Sequence, residues 1–88
     1  MLSRETSIDM QLNIFTLRKP VIRKEAVSVS MKTPLGEITV LDNHIPLITR
    51  IEKGRVRIVE KDGKEDTLEA EGGFIEVKPG SEVNILLG

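Results

Sequence analysis

The apolar and polar side chains from residue 10 onward alternate with a period of two, which is typical of short β-strands with one face in a core. Met10, Leu12 and Ile14 alternate with polar residues, and Phe15 interrupts the alternation. Pro20 ends this segment because proline has no N–H to donate to a sheet. Similar short runs predict further strands at residues 26–31, 37–41 and 47–51.

A first hairpin is predicted in the last third of the chain. A two-residue loop would place Lys61 opposite Lys64, and like charges on facing residues are unfavourable. A three-residue loop at 62–64 places Arg57 opposite Glu69 and keeps the apolar residues on one face. We therefore expect the three-residue loop.

A second hairpin is predicted around the turn formed by residues 78–81. Pairing Val77 with Val83 and Ile75 with Ile85 places apolar residues opposite each other, which requires a loop of odd length. The two glycines between the hairpins predict a bend or a bulge. They do not continue into the motif of a phosphate-binding loop.

These segments amount to at least six short strands with frequent turn residues, and no segment has a helical period. This organisation predicts an all-β fold, either a sandwich or a flattened barrel. Residues 1–9 show no usable period and are expected to form a loose leader. Residues 10–88 are expected to form a single domain, because a chain of 88 residues supports one core at most.

Composition narrows the possible functions. The formal net charge of −1 gives no general attraction for nucleic acid, and no apolar run approaches the roughly 20 residues of a membrane helix. The chain has no cysteine, which removes disulfides, thiol nucleophiles and cysteine-based metal sites. Its N-terminus has no charged and then apolar signal segment, so export is not expected.

His44 is the only histidine, and it lies in a bend between two predicted strands. A zinc site would need further ligands from Asp or Glu alone, which is unusual because zinc favours nitrogen and sulfur. A Ser–His–Asp triad is formally possible, but no serine lies in a nucleophile elbow. The alternatives are that His44 anchors its bend through hydrogen bonds or contacts a partner. We therefore predict no catalytic residue, no metal site and no cofactor.

Three motifs follow one another along the chain, and each is short. They are TPLGEITVLDNHIPLIT at 33–49, KGRVRI at 53–58 and GGFIEV at 72–77. Their order and content resemble the epsilon subunit of F-type ATP synthases, and the resemblance covers roughly residues 10–88. It implies a flattened β-sandwich of about ten short strands.

The resemblance also implies a non-catalytic subunit of the rotary central stalk, which couples ion translocation to ATP synthesis. Its partners would be the gamma subunit and the loops of the membrane ring that carries the ions. It would be a peripheral subunit of the ATP synthase complex, on the cytoplasmic face of the inner membrane. The positions that match the family's gamma-facing segments are Thr16, His44, Pro46, Leu47 and Thr49. Glu37 matches the acidic turn residue that contacts the ring loops.

The sequence departs from the family pattern at two positions in the His44 segment. Asn43 stands where the family has glycine, and Ile45 stands where alanine is usual. The family also normally continues beyond the position of Gly88 into a helical hairpin that restrains ATP hydrolysis and, in some members, binds ATP. Both properties are expected to be absent from this chain. Two other classes stay open: a small cupin-like domain that binds a ligand or metal through His44, and a free-standing adaptor that binds peptides along a sheet edge.

Overall fold

The computed structural model describes residues 9–18, 20–42 and 44–88, so the expected leader at 1–9 lies almost entirely outside the described residues. Within this part of the chain there are nine strands and no helix. The strands are β1 (Met10–Thr16), β2 (Ile22–Ala26), β3 (Ser28–Thr33), β4 (Gly36–Leu41), β5 (Leu47–Ile51), β6 (Gly54–Val59), β7 (Glu65–Ala70), β8 (Gly73–Lys78) and β9 (Glu82–Leu87).

Two sheets form the fold. One has five strands in the order β2-β1-β9-β8-β5, and the other has four strands in the order β4-β3-β6-β7. The pairing of β1 with β9 is parallel, and the other strand pairs are antiparallel. The predicted all-β sandwich is confirmed, with nine strands in the described residues where the family resemblance implied about ten.

The core between the sheets is aliphatic. Alternate residues of each strand face inward, so that Met10, Leu12 and Ile14 on β1 are buried while Gln11 is exposed. The other buried apolar side chains come from both sheets: Ala26, Val29, Met31, Val40, Ile51, Val56, Ile58, Ala70, Ile75, Val77, Val83, Ile85 and Leu87. Both phenylalanines lie outside this cluster. The sequence alternation therefore predicts the core correctly.

The predicted strand over 26–31 is wrong in one respect, because the structure divides it at Val27. The chain leaves the five-stranded sheet at Ala26 and enters the four-stranded sheet at Ser28, and the Val27 N–H donates to the Val59 carbonyl at 2.8 Å. The strand before this crossing, β2, was not predicted from the sequence. Its alternation is hidden because Lys24, a charged residue, occupies an inward position opposite Leu12.

The register predicted for the first hairpin is also wrong, although the predicted loop length is right. Arg57 faces Thr67, and Glu69 faces Arg55, so the register is displaced by two residues. The Glu60 N–H donates to the Lys64 carbonyl at 2.8 Å, which leaves the three residues 61–63 in the loop. Gly63 has a φ of +87° and therefore takes the last loop position, which favours glycine. The sequence prediction had placed Lys64 there.

The second hairpin agrees with its predicted register. Val77 faces Val83 and Ile75 faces Ile85, with the odd-length loop 79–81 between the strands. Between the two hairpins the chain bends at 71–72 and passes from the four-stranded to the five-stranded sheet. The bend predicted at the two glycines is therefore confirmed.

Candidate functional site

The His44 bend connects the two sheets, since it follows β4 and precedes β5. His44 Nδ1 lies 2.8 Å from the Ile45 carbonyl oxygen, and its backbone N–H donates to the Leu41 carbonyl at 3.1 Å. The Ser81 hydroxyl donates to the Asp42 carboxylate and ties this bend to the β8–β9 turn. These contacts correspond to the structural role considered for His44, in which the ring anchors its own bend.

Strand β5 carries the other predicted gamma-facing residues next to His44. Leu47 is half-buried and packs against the core, while Thr49 is half-buried opposite Ile75. The prominent apolar side chains of this segment are instead Ile45, 77% exposed, and Ile48, 71% exposed. The segment thus offers a partner an apolar surface, but Leu47 contributes to the fold as well.

Thr16 lies apart from the other four predicted gamma-facing residues. It ends β1 opposite Leu87, and two strands separate β1 from β5 in the sheet. Three inter-strand spacings correspond to about 14 Å. The structure therefore brings together His44, Pro46, Leu47 and Thr49 but places Thr16 on a distant part of the same sheet.

Glu37 lies on the other sheet, in the second residue of β4. Its side chain is exposed, and its partner in the register of β3 is Lys32. The turn before it contains Leu35, which is 96% exposed. The predicted ring contact thus belongs to a protruding β-turn and not to the surface around His44.

A row of exposed apolar side chains crosses the outer face of the five-stranded sheet. Phe15, Leu86 and Phe74 are register partners across β1, β9 and β8, with 37%, 51% and 53% of their surfaces exposed. On β5 the register partner of Phe74 is Arg50, and the apolar Ile48 lies diagonal to Phe74 on the same outer face, opposite Glu76. We call Phe15, Leu86, Phe74 and Ile48 the apolar row. The sequence prediction missed it, although the interruption of the alternation at Phe15 was a signal.

Polar side chains lie beside the apolar row on the same face. The Asn13 amide donates to the Asn84 side-chain oxygen at 2.8 Å, and the Gln11 amide donates to Asn13 at 3.2 Å. Together with Phe15 and Leu86 they line a shallow depression. This combination of an apolar centre and a hydrogen-bonding margin is typical of a surface that docks another protein.

The outer face of the four-stranded sheet has a different character. Ser30 and Thr39 share a hydrogen bond of 2.9 Å at its middle, and Arg55 forms an ion pair with Glu69 at 3.2 Å. Polar and charged side chains therefore dominate this face, with Ser30 buried beneath them, whereas the apolar row lies on the opposite face of the sandwich.

One charged cluster closes the edge where β2 meets the other sheet. The Lys24 ammonium lies 3.0 Å from both Glu60 Oε2 and Asp66 Oδ2. The hydrogen bonds to Asp66 and then to Glu60 raise the pKa of Lys24, and the bond from Lys24 lowers the pKa of Asp66. Lys24 pairs with both carboxylates, so the cluster joins β2 to the other sheet.

Neither a metal cluster nor a membrane-spanning helix is present in the described residues. Across 9–18, 20–42 and 44–88, no three His, Cys, Asp or Glu side chains converge as a metal site would require. In the same residues no helix is long and apolar enough to cross a membrane.

Fold and surface together define a small all-β sandwich domain with a row of exposed apolar side chains on one outer face. Residues 9–87 match the family described as the β-sandwich domain of the ATP synthase delta/epsilon chain, and the chain belongs to that family.

Two ATP synthase epsilon chains are similar to most of this chain. The ATP synthase epsilon chain of Bordetella petrii is 37% identical over 71 residues, which are 81% of this chain and 50% of the relative. The ATP synthase epsilon chain of Dichelobacter nodosus is 38% identical over 72 residues, which are 82% of this chain and 50% of the relative. The chain thus spans about half the length of these relatives.

Two solved structures share the fold. A chain in the cryo-EM structure of the Euglena gracilis mitochondrial ATP synthase (OSCP/F1/c-ring) gives a TM-score of 0.85 at 22% identity, covering 92% of this chain and 51% of that one. A chain in the cryo-EM structure of the Tetrahymena thermophila mitochondrial ATP synthase (central stalk/c-ring) gives a TM-score of 0.74 at 14% identity, covering 89% of this chain and 62% of that one.

Proposed function

We propose that this chain is a non-catalytic subunit of the central stalk of an F-type ATP synthase, where its domain at 10–88 binds the gamma subunit and the loops of the membrane ring. Family membership supports this role. The observation that supports it most is the apolar row, because a stalk subunit that catalyses no reaction acts by binding its partners through a stable surface. The subunit would couple ion translocation to ATP synthesis by transmitting torque.

The apolar row is large enough to anchor such a contact. An aromatic side chain that becomes fully buried covers on the order of 150–250 Å², but Phe15 and Phe74 expose only 37% and 53% of their surfaces, so each contributes only part of that area on docking. With Leu86 and Ile48 the row supplies the apolar centre of an interface side of about 800 Å², and polar groups such as those of Asn13 and Asn84 supply part of the margin.

The His44 segment extends this contact along the edge of the sheet. Ile48 belongs both to that segment and to the apolar row, so His44 and Pro46 lie just before the strand that carries it. Thr49 follows Ile48 but is on the inward face of β5, opposite Ile75. In this proposal the gamma subunit covers the outer face and continues onto the β5 edge. Leu47 supports the edge from the core side.

The ring contact uses a separate surface. Glu37 lies on the four-stranded sheet, so one partner can occupy the apolar row while another meets the β3–β4 turn. A rigid two-layer sandwich between two partners transmits displacement because its core is closely packed. The assembled subunit would then be peripheral, on the cytoplasmic face of the inner membrane.

Co-expression with the gamma subunit of the same ATP synthase tests the proposal. We expect an equimolar complex that survives size-exclusion chromatography, and we expect this complex to be retained by the purified ring. A chain that elutes alone at micromolar concentrations of both proteins would contradict the role. Retention of a metal ion or of strand-forming peptides would instead support one of the two other classes considered from the sequence.

A further inference from the structure

The β3–β4 turn is held by the side chain of Thr33. This threonine is only 6% exposed, although it lies directly before the tip of the turn. Its hydroxyl donates to the Gly36 carbonyl at 2.7 Å and accepts a hydrogen bond from the Leu35 N–H at 3.2 Å. One hydroxyl therefore fixes backbone groups on both sides of the turn.

The turn presents two different side chains to the surroundings. Leu35 is 96% exposed at the tip of a turn whose backbone the Thr33 hydroxyl holds by hydrogen bonds. Glu37 lies two residues further along and is also exposed. Gly36 between them has a φ of +113°, which directs the chain from the tip into β4 and favours glycine.

We propose that Thr33 is a positioning residue that holds Leu35 and Glu37 in one fixed arrangement for the ring loop. This inference rests on the proposed function, in which the turn meets the ring. The expected partner surface is a polar loop with a cationic side chain facing Glu37 and an apolar depression that accepts Leu35. Charge complementarity with the exposed Glu37 carboxylate at the start of β4 selects a cationic partner side chain, and the exposed Leu35 selects an apolar one. Lys32, the register partner of Glu37, is the neighbouring cation with which the ring loop would compete.

The mechanism is pre-organisation. A turn that is already fixed loses less conformational entropy on binding than a mobile one. Removing the Thr33 hydroxyl leaves the Gly36 carbonyl and the Leu35 N–H to water, so the tip samples other conformations in the free protein. Affinity for the ring then falls although neither contacting side chain has changed.

The test compares Thr33→Val, which has nearly the same shape but no hydroxyl, with Thr33→Ser, which keeps the hydroxyl. Each variant is prepared as its complex with gamma, and its affinity for the purified ring is measured. We expect Thr33→Val to weaken ring binding by about 5- to 10-fold and Thr33→Ser to stay within about twofold of the wild type. Leu35→Ala should weaken it as much as Thr33→Val, and gamma binding should not change in any variant.

Hydrogen exchange at the Leu35 amide separates positioning from general stability. We expect faster exchange at this amide in Thr33→Val, with unchanged exchange at the core strand β9. Ring binding by Thr33→Val equal to that of the wild type, or a loss in Thr33→Ser as large as in Thr33→Val, would overturn the inference. A wild-type gamma complex that fails to bind the ring would remove the ring contact itself, and the inference with it.

Discussion

Gly73 begins β8 between two neighbouring strands, where it pairs with Ile51 on β5 and with Leu87 on β9. A Cβ added at this position would overlap the carbonyl oxygen of Leu86. That atom belongs to the backbone of the central strand β9, so no side-chain rotation relieves the overlap. Gly73→Ala must therefore displace β8 from β9.

We expect this displacement to cost about 3 kcal/mol, the upper end of the range for inserting a methyl group into packed structure. The matched control is Gly63→Ala. Gly63 has a φ of +87°, but a Cβ there meets nothing within 4 Å, so only the backbone conformation is penalised, by about 1 kcal/mol. The total stability of an 88-residue domain is on the order of 4–13 kcal/mol, so both variants should still fold.

Thermal unfolding followed by circular dichroism measures the difference. The gap of about 2 kcal/mol corresponds to a midpoint roughly 8–16 °C lower for Gly73→Ala than for Gly63→Ala. Because Phe74 follows Gly73 directly, the folded Gly73→Ala variant should also bind gamma more weakly. Equal midpoints for the two variants would show that β8 and β9 are not as close at this point as the structure places them.

Three further outcomes test the charged edge and the first hairpin. Because folding lowers the pKa of Asp66, its contribution to stability is complete above the ordinary pKa of 3.8 and is lost as the pH falls through the lowered folded pKa. The unfolding free energies of wild type and Asp66→Asn should therefore converge only in acid. The Lys24 contribution, with its pKa raised from 10.5, should disappear only in strongly alkaline solution. NMR contacts between strands should pair Arg57 with Thr67, and a pairing with Glu69 would restore the register predicted from the sequence.

The alternation of side chains was sufficient to predict most strands and the composition of the core. Strand β2 could not be found this way, because Lys24 occupies an inward position that only its partners Glu60 and Asp66 on the other sheet make acceptable. The crossing at Val27 is equally a tertiary feature. Nothing local in the sequence marks where a chain leaves one sheet for another.

The first hairpin and the apolar row also depend on contacts between residues that are distant in sequence or on backbone conformation, which the local sequence pattern does not show. The loop length of the first hairpin followed from charge pairing, but its position depended on the left-handed conformation of Gly63. The apolar row could not be predicted from local sequence, because Phe15 and Phe74 are far apart in the chain. They lie on either side of Leu86 only because β9 pairs with both β1 and β8. The resemblance to the family identified the residues around His44, and the structure adds the sheet face beside them.

Docking of the gamma subunit on the apolar row can be measured through the affinity of Phe74→Asp for gamma. Phe74 is 53% exposed, so the substitution should leave the core intact while placing an unpaired charge in the contact. We expect a loss of about 2–4 kcal/mol, or roughly 30- to 1000-fold in Kd. The control Thr67→Asp, on the exposed outer face of the other sheet, should bind gamma as the wild type does. Undiminished binding by a folded Phe74→Asp, or an equal loss in both variants, would show that gamma does not dock on the apolar row.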